Sequence, residues 1–327
     1  MREGRADWFS RAGKGNAEHV PQAIVDIIVP LFAIMLAGYL AGRAGLLSES
    51  ASDALNRFVF TVSFPALVFI SLSKVSVSDF FNWPFLAVLG GGMLVTFLAS
   101  IAVARLMFPA SLTALALHGL TAMFSSTAYI GVPLILIAFG NEALVPAIIG
   151  AVITGLVFFP LAVVLAEIDK GRDTGNLVLG PAVSVLCNPV IIATAAGLAV
   201  SALGIVVPKP VAVFCDLLGG AFIPCALFSA GLFLVGCSLK GDAGEISWLV
   251  FVKLAVHPLI TLGLAYYVFE LERQLAAIAV LQAALPTGVP VFILAQQYGV
   301  FVARATATIA ITTAVSVVTL SLVLITL

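Results

Sequence analysis

Residues 30–45 read PLFAIMLAGYLAGRAG, and residues 189–204 read PVIIATAAGLAVSALG. Each stretch frames apolar side chains with a proline and glycines at matched places: Pro30, Gly38 and Gly45 in the first, Pro189, Gly197 and Gly204 in the second. Every pair lies 159 residues apart, and the same offset relates Pro65 to Pro224 and Phe139-Gly140 to Tyr298-Gly299. Gly131-Val132-Pro133 and Gly288-Val289-Pro290 correspond at 157, a difference that a two-residue change of loop length absorbs. Helix-interrupting residues copied at one spacing mark an internal duplication. Duplicated halves with interrupted helices point to a secondary transporter.

Composition narrows the class. Of the 327 residues, 62% are hydrophobic and 9% charged, with a mean hydropathy of +1.20. A soluble body needs far more polar surface, so lipid must solvate this chain. Apolar stretches of about 20 residues, enough helix to cross about 30 Å of hydrocarbon, recur along it. Ten are predicted, at 24–44, 52–73, 83–107, 112–139, 144–168, 178–202, 210–238, 246–269, 273–297 and 301–327. Runs such as Leu86-Ala87-Val88-Leu89 and Ile309-Ala310-Ile311 lack the alternation of a barrel strand, which leaves helices as the spanning element. The fold class expected is an all-α integral membrane protein. Residues 1–22 are polar, carry Arg2, Arg5, Arg11 and Lys14, and read as a disordered tail without a signal-peptide core. Cys187, Cys215, Cys225 and Cys237 show neither CxxC nor Cys/His spacing and read as small core residues, with no disulfide framework and no metal site.

Five spans in each half, residues 23–170 and 171–327, put an odd number of crossings between an element and its copy. The second half then enters the membrane upside down, and the repeats are inverted. Each half can adopt the shape of the other, so two conformations of similar energy exchange inward and outward access. Arg43, Arg57, Arg105, Lys170, Arg172, Lys240 and Arg304 fall on one side of the membrane, against Lys74, Lys209 and Arg273 on the other. The positive-inside rule places the first group in the cytoplasm, while the basic residues of the tail argue for the reverse.

The candidate site follows from the interruptions. Ser125, Ser126, Thr127, Tyr129, Gly131 and Pro133 lie within the fourth apolar segment, and Pro286, Thr287, Gly288 and Pro290 within the ninth. Proline removes a backbone donor and crowds the preceding turn, and glycine tolerates unwound backbone, so both helices are expected to break near the midplane. Such backbone must face protein or water. The amides that open a half-helix suit an anion, and the carbonyls that close one suit a cation. The competing account is structural: proline is common in membrane helices, and Ser or Thr can bond a carbonyl one turn back. Occurrence of both breaks at repeat-equivalent positions favours the site.

Several motifs together resemble the auxin efflux carrier family. They are Pro30 to Gly45 leading into Leu46-Leu47, Leu55 to Phe60, Phe64 to Leu67, Ser125 to Leu134 (SSTAYIGVPL), Asn188-Pro189, Pro224 to Phe228 with Gly231, Lys253-Leu254 with Pro258-Leu259, and Leu285 to Ala295 (LPTGVPVFILA). The resemblance implies ten helices in a fold similar to that of sodium/bile acid symporters, with broken helices 4 and 9 crossing. Helices 1, 2, 6 and 7 would form a scaffold. Helices 3, 4, 5, 8, 9 and 10 would form a transport domain that moves as an elevator. It further implies small organic anions, such as auxin, malate and malonate, as substrates, residence in the plasma membrane (the inner membrane of a bacterium), and allows a homodimer. Relatives often carry asparagine near both crossovers, where this chain has Ser126 and Pro290. Paired amides are therefore not offered, and Ser126, Thr127, Tyr129, Thr287 and local backbone amides remain as donors.

Ionisable residues inside spans are functional candidates by default. Lys253 and His257 share a helical face in the eighth segment, and Asp216 lies in the seventh, within conceivable reach of Lys253 for proton or sodium coupling. The bland accounts are a lysine snorkelling to the interface and a histidine satisfied by a neighbour. His118, opening the fourth segment, reads as a solvated helix-end residue. No acidic cluster suggests a metal, no basic groove suggests nucleic acid, and no Gly-x-Ser-x-Gly, His-Glu-x-x-His or P-loop suggests an enzyme or a cofactor. Two alternatives stand beside the organic-anion carrier: a sodium-coupled symporter of the bile-acid type, and a membrane sensor or scaffold that binds without turnover.

Overall fold

The computed structural model describes residues 19–108, 110–170, 186–237 and 241–326. Residues 1–18 of the expected tail, Arg172, Lys240 and the start of the second repeat lie outside the described residues.

Among the described residues the protein is helical throughout. Helix α1 (His19–Arg43) is followed by α2 (Glu49–Phe58), α3 (Phe64–Leu72) and α4 (Trp83–Met107). Next come α5 (Leu112–Met123), α6 (Val132–Phe139), α7 (Leu144–Ile153) and α8 (Phe159–Asp169). The second half holds α9 (Pro189–Ala202), α10 (Lys209–Gly220), α11 (Phe222–Val235), α12 (Ala243–Phe251), α13 (His257–Gly263), α14 (Arg273–Ala284), α15 (Pro290–Tyr298) and α16 (Val302–Thr326). Among the described residues, six continuous segments are long and apolar enough to cross a membrane: Ser50–Leu72, Trp83–Met107, Asn141–Asp169, Lys209–Val235, Ala243–Val268 and Val302–Thr326. Boundaries shift by a few residues from the expected spans, most at helix α1, which begins at His19 instead of residue 24. Helix α9 begins at Pro189, where the Asn188 side chain accepts the Val190 amide at 2.9 Å and caps it; residues 178–185 of the expected sixth span lie outside the described residues. Proline at the first helical position has no amide to lose.

Proline also explains the joints inside the long segments. Wide π turns at Val59–Ser63, Thr127–Gly131, Thr154–Phe158 and Val252–Val256 each run straight into a helix whose second residue is proline: Pro65, Pro133, Pro160 and Pro258. The proline ring crowds the carbonyl four residues earlier and supplies no donor, so the turn before it widens instead of breaking. Glycines at positive φ end helices at matched places: Gly45 (69°) and Gly204 (63°), then Gly140 (82°) and Gly299 (67°).

Close packing repeats as well. Helix α1 lies against α11, where Gly38 faces the Phe228 carbonyl and Gly231 faces that of Met35. Helix α3 lies against α9, where a β-carbon on Gly197 would sit 2.9 Å from the Phe69 carbonyl oxygen. Gly38 and Gly197 are 159 apart, and so are their partners Phe228 and Phe69. Stacked Phe64 and Phe222 rings, 4.5 Å between centroids, fill the space between these pairs. Elsewhere α4 packs on α5 and α13, and α14 packs on α4, α7 and α13. Of the cysteines, only Cys215 is buried; Cys225 and Cys237 are half-buried and Cys187 is exposed, so the core reading holds for one of the four.

Candidate functional site

Helical hydrogen bonding lapses twice, at Phe124–Ser126 and at Leu285–Val289, and each lapse satisfies the other. Ser125 and Thr287 form an isolated antiparallel bridge. The Ser126 amide donates to the Pro286 carbonyl at 2.8 Å, and the Gly288 amide to the Phe124 carbonyl at 3.0 Å. Buried backbone groups need partners, and here each lapse supplies those the other lacks. The Ile130 and Gly131 amides then both turn back to the Ser126 carbonyl, at 2.9 and 3.1 Å, and begin the wide turn.

The glycines act by close approach. Gly131 has an ordinary φ of −66°, but a β-carbon there would lie 2.5 Å from Leu285 Cδ1, and one on Gly288 would lie 2.8 Å from the Phe124 ring. Each glycine thus admits a side chain from the opposite lapse. Pro133 and Pro290 stand in the first turns of α6 and α15, where no donor is required of them, and Pro286 lies in the extended stretch.

The predicted donors divide. Thr287 is committed to the crossing: its hydroxyl donates to the Thr121 carbonyl at 3.0 Å, and its amide donates to Thr312 Oγ1 at 3.1 Å. Thr127 Oγ1 lies 3.5 Å from the Ser125 carbonyl. Tyr129 reaches α2 and the wide turn after it, where its hydroxyl donates to Asn56 Oδ1 at 3.2 Å and its ring meets Phe60 edge-on at 4.8 Å. Ser126 is 5% exposed, and its amide and carbonyl hold the crossing together.

Lys253 sits at the joint itself. It belongs to the wide turn Val252–Val256 and is fully buried, so it does not snorkel. Its Nζ donates to Ser125 Oγ at 2.8 Å and to the Ala283 carbonyl at 2.7 Å, and lies 3.1 Å from His257 Nδ1. His257 is likewise buried. The expected pairing with Asp216 is not made. That residue is exposed on α10, which packs against α3 and α11, whereas Lys253 is buried.

A second ionic group escaped the sequence reading. His118 is buried, not solvated, and its Nδ1 lies 2.9 Å from Glu245 Oε1; Arg304 Nε lies 2.9 Å from Glu245 Oε2. Glu245 and His118 are 2% and 1% exposed, Arg304 37%. This group ties the middle of α5 to the first turns of α12 and α16. Its members lie far apart in sequence, at 118, 245 and 304, and no local spacing connects them. Asn56 was also missed as a site residue, although it stands inside the Leu55 to Phe60 motif.

A family model described as "Membrane transport protein" matches residues 23–176 and 177–324. Among curated proteins, one from Rhizobium meliloti (strain 1021) named "Putative malonate transporter" is 31% identical over 305 residues, covering 91% of this chain and 94% of its own. An "Uncharacterized transporter" of Methanothermobacter thermautotrophicus is 27% identical over 303 residues, covering 91% and 96%. The "Uncharacterized transporter YfdV" of Escherichia coli (strain K12) is 27% identical over 299 residues, covering 89% and 94%.

Proposed function

The chain belongs to the membrane transport protein family, and on that premise we propose that it is a secondary carrier of a small organic anion, working by elevator-type alternating access. The family and these relatives are transporters, not enzymes, and the chain is an integral multi-pass membrane protein. The observation that carries the proposal is the mutual clasp of two helix interruptions, Ser126 to Pro286 and Gly288 to Phe124, beside a buried lysine. Half-helices that end inside a membrane protein present amides to an anion and carbonyls to a cation.

In this reading ten spans form two inverted repeats. The contact of Gly38 with Phe228 and its copy, Gly197 with Phe69, support that symmetry. Helices α1, α2–α3, α9 and α10–α11 make the scaffold, and the rest make the mobile body. Substrate sits where Tyr129 faces Asn56 and Phe60, with the Ser126 and Thr127 hydroxyls as donors. A relative named for malonate directs the first probe.

The test is uptake of malonate, malate and indole acetate by purified protein in liposomes under imposed pH gradients. Gradient-driven accumulation of one of them is expected. Binding without accumulation under any gradient would sink the carrier and favour a sensor.

A further inference from the structure

We propose that Lys253 is a tethered counter-cation: its ammonium holds the place between the two interrupted helices where a free alkali-metal cation would otherwise bind, so the crossing needs no sodium or potassium. This rests on reading the crossing as the transport site. Helix α5 ends at Met123 and α14 at Ala284, so two C-terminal ends converge on one point. Each carries about half a negative elementary charge and unpaired carbonyls. In carriers with discontinuous helices such ends and unwound carbonyls coordinate sodium.

Here the point is filled from within. Lys253 Nζ meets Ser125 Oγ, two residues past the end of α5, at 2.8 Å, and the carbonyl of Ala283, in the last turn of α14, at 2.7 Å. His257 Nδ1 at 3.1 Å completes three neighbours, each able to accept. An ammonium has three donors and no acceptor, so three acceptors match it fully. Among the described residues, the groups bonded to Nζ include no carboxylate. Glu245, two helical turns back or about 12 Å along the axis, is engaged by His118 and Arg304. The helix ends are thus the counter-charge of the lysine, and the lysine is theirs. The wide turn that Pro258 forces on Val252–Val256 carries the side chain into this gap.

The experiment is thermal unfolding of the purified full-length protein in detergent, with sodium, potassium or choline chloride at one ionic strength. The expected midpoint is the same in all three salts. A midpoint several degrees higher in sodium or potassium than in choline would overturn the proposal. Lys253→Ala should unfold earlier and recover when ethylammonium or sodium chloride replaces choline, because either cation fits the vacated space. Lys253→Met, which keeps the length and removes the charge, should unfold earlier and recover in neither. A Lys253→Met protein as stable as wild type, or a folded Lys253→Ala protein that no cation restores, would also overturn it. If Lys253→Ala does not fold, the wild-type comparison decides alone. The readout uses no substrate, so a carrier that fails to accumulate any anion leaves this result standing, and the reverse also holds.

Discussion

At the scale of single residues, two hydroxyls that read alike in sequence have different duties. Thr287 spends its hydroxyl on the Thr121 carbonyl and its amide on Thr312. Thr287→Ala strips a buried carbonyl of its partner and should cost about 1–2 kcal/mol of stability, read as an earlier unfolding midpoint. Ser126 holds the crossing by backbone alone, so Ser126→Ala should leave the midpoint unchanged while weakening malonate binding by isothermal titration. An unchanged affinity would remove the Ser126 hydroxyl from the site. Glu245 offers a parallel contrast. Glu245→Ala leaves His118 buried without its partner and should cost about 3 kcal/mol. Arg304→Gln should cost well under half of that, since its guanidinium is 37% exposed and solvent screens the pair. Equal losses would mean that the Arg304 pair, not the buried His118 pair, carries the stability. The difference between Thr287 and Ser126 was invisible in sequence, because partners at 121 and 312 are set by the crossing of two segments. Glu245 was invisible for the same reason, and it lies only eight residues before the lysine that was found.

At the scale of elements, the proline and glycine spacing told where helices would yield, but not how. The lapses at Phe124–Ser126 and Leu285–Val289 lie within the two segments that carry the serine, glycine and proline motifs. Pro133, however, starts the next helix after a widened turn, Pro290 starts its helix directly, and Gly131 and Gly288 serve close approach instead of unusual backbone angles. Periodicity cannot show this, because a helix that widens by one residue keeps an apolar sequence. The helix-ending glycines were fully legible and invite a paired measurement. Gly45 and Gly204 have positive φ with open space around the β-position. Alanine at either should cost about 1 kcal/mol through backbone strain. Gly38 and Gly197 have neighbouring backbone in the way, and alanine at either should cost about 1–3 kcal/mol by prising helices apart. Midpoints of the four variants should fall into those two pairs. A Gly197→Ala protein as stable as Gly204→Ala would mean that α3 and α9 part without resistance.

At the scale of the whole molecule, the proposed scaffold and the proposed mobile body touch where substrate is proposed to sit, and that contact separates a moving carrier from a rigid binder. Tyr129, on the wide turn of the crossing, reaches Asn56 on α2 across the boundary at 3.2 Å. Ser63, by contrast, donates to the Leu218 carbonyl at 2.7 Å, wholly within the proposed scaffold. If one body slides past the other, a covalent tie at the first place must stop turnover and a tie at the second must not. The four native cysteines are free and can be replaced beforehand. Asn56→Cys with Tyr129→Cys, bridged by a cleavable bifunctional thiol reagent, should lose gradient-driven uptake in liposomes and regain it on reduction. Ser63→Cys with Leu218→Cys, bridged in the same way, should transport as before. Because Tyr129 is itself a proposed contact of the substrate, recovery after cleavage is the decisive comparison: it separates arrest by the tie from damage by the substitution. Undiminished uptake by the bridged Asn56–Tyr129 protein would mean that these surfaces keep their relation through the cycle, and that access alternates by a smaller gate within one body.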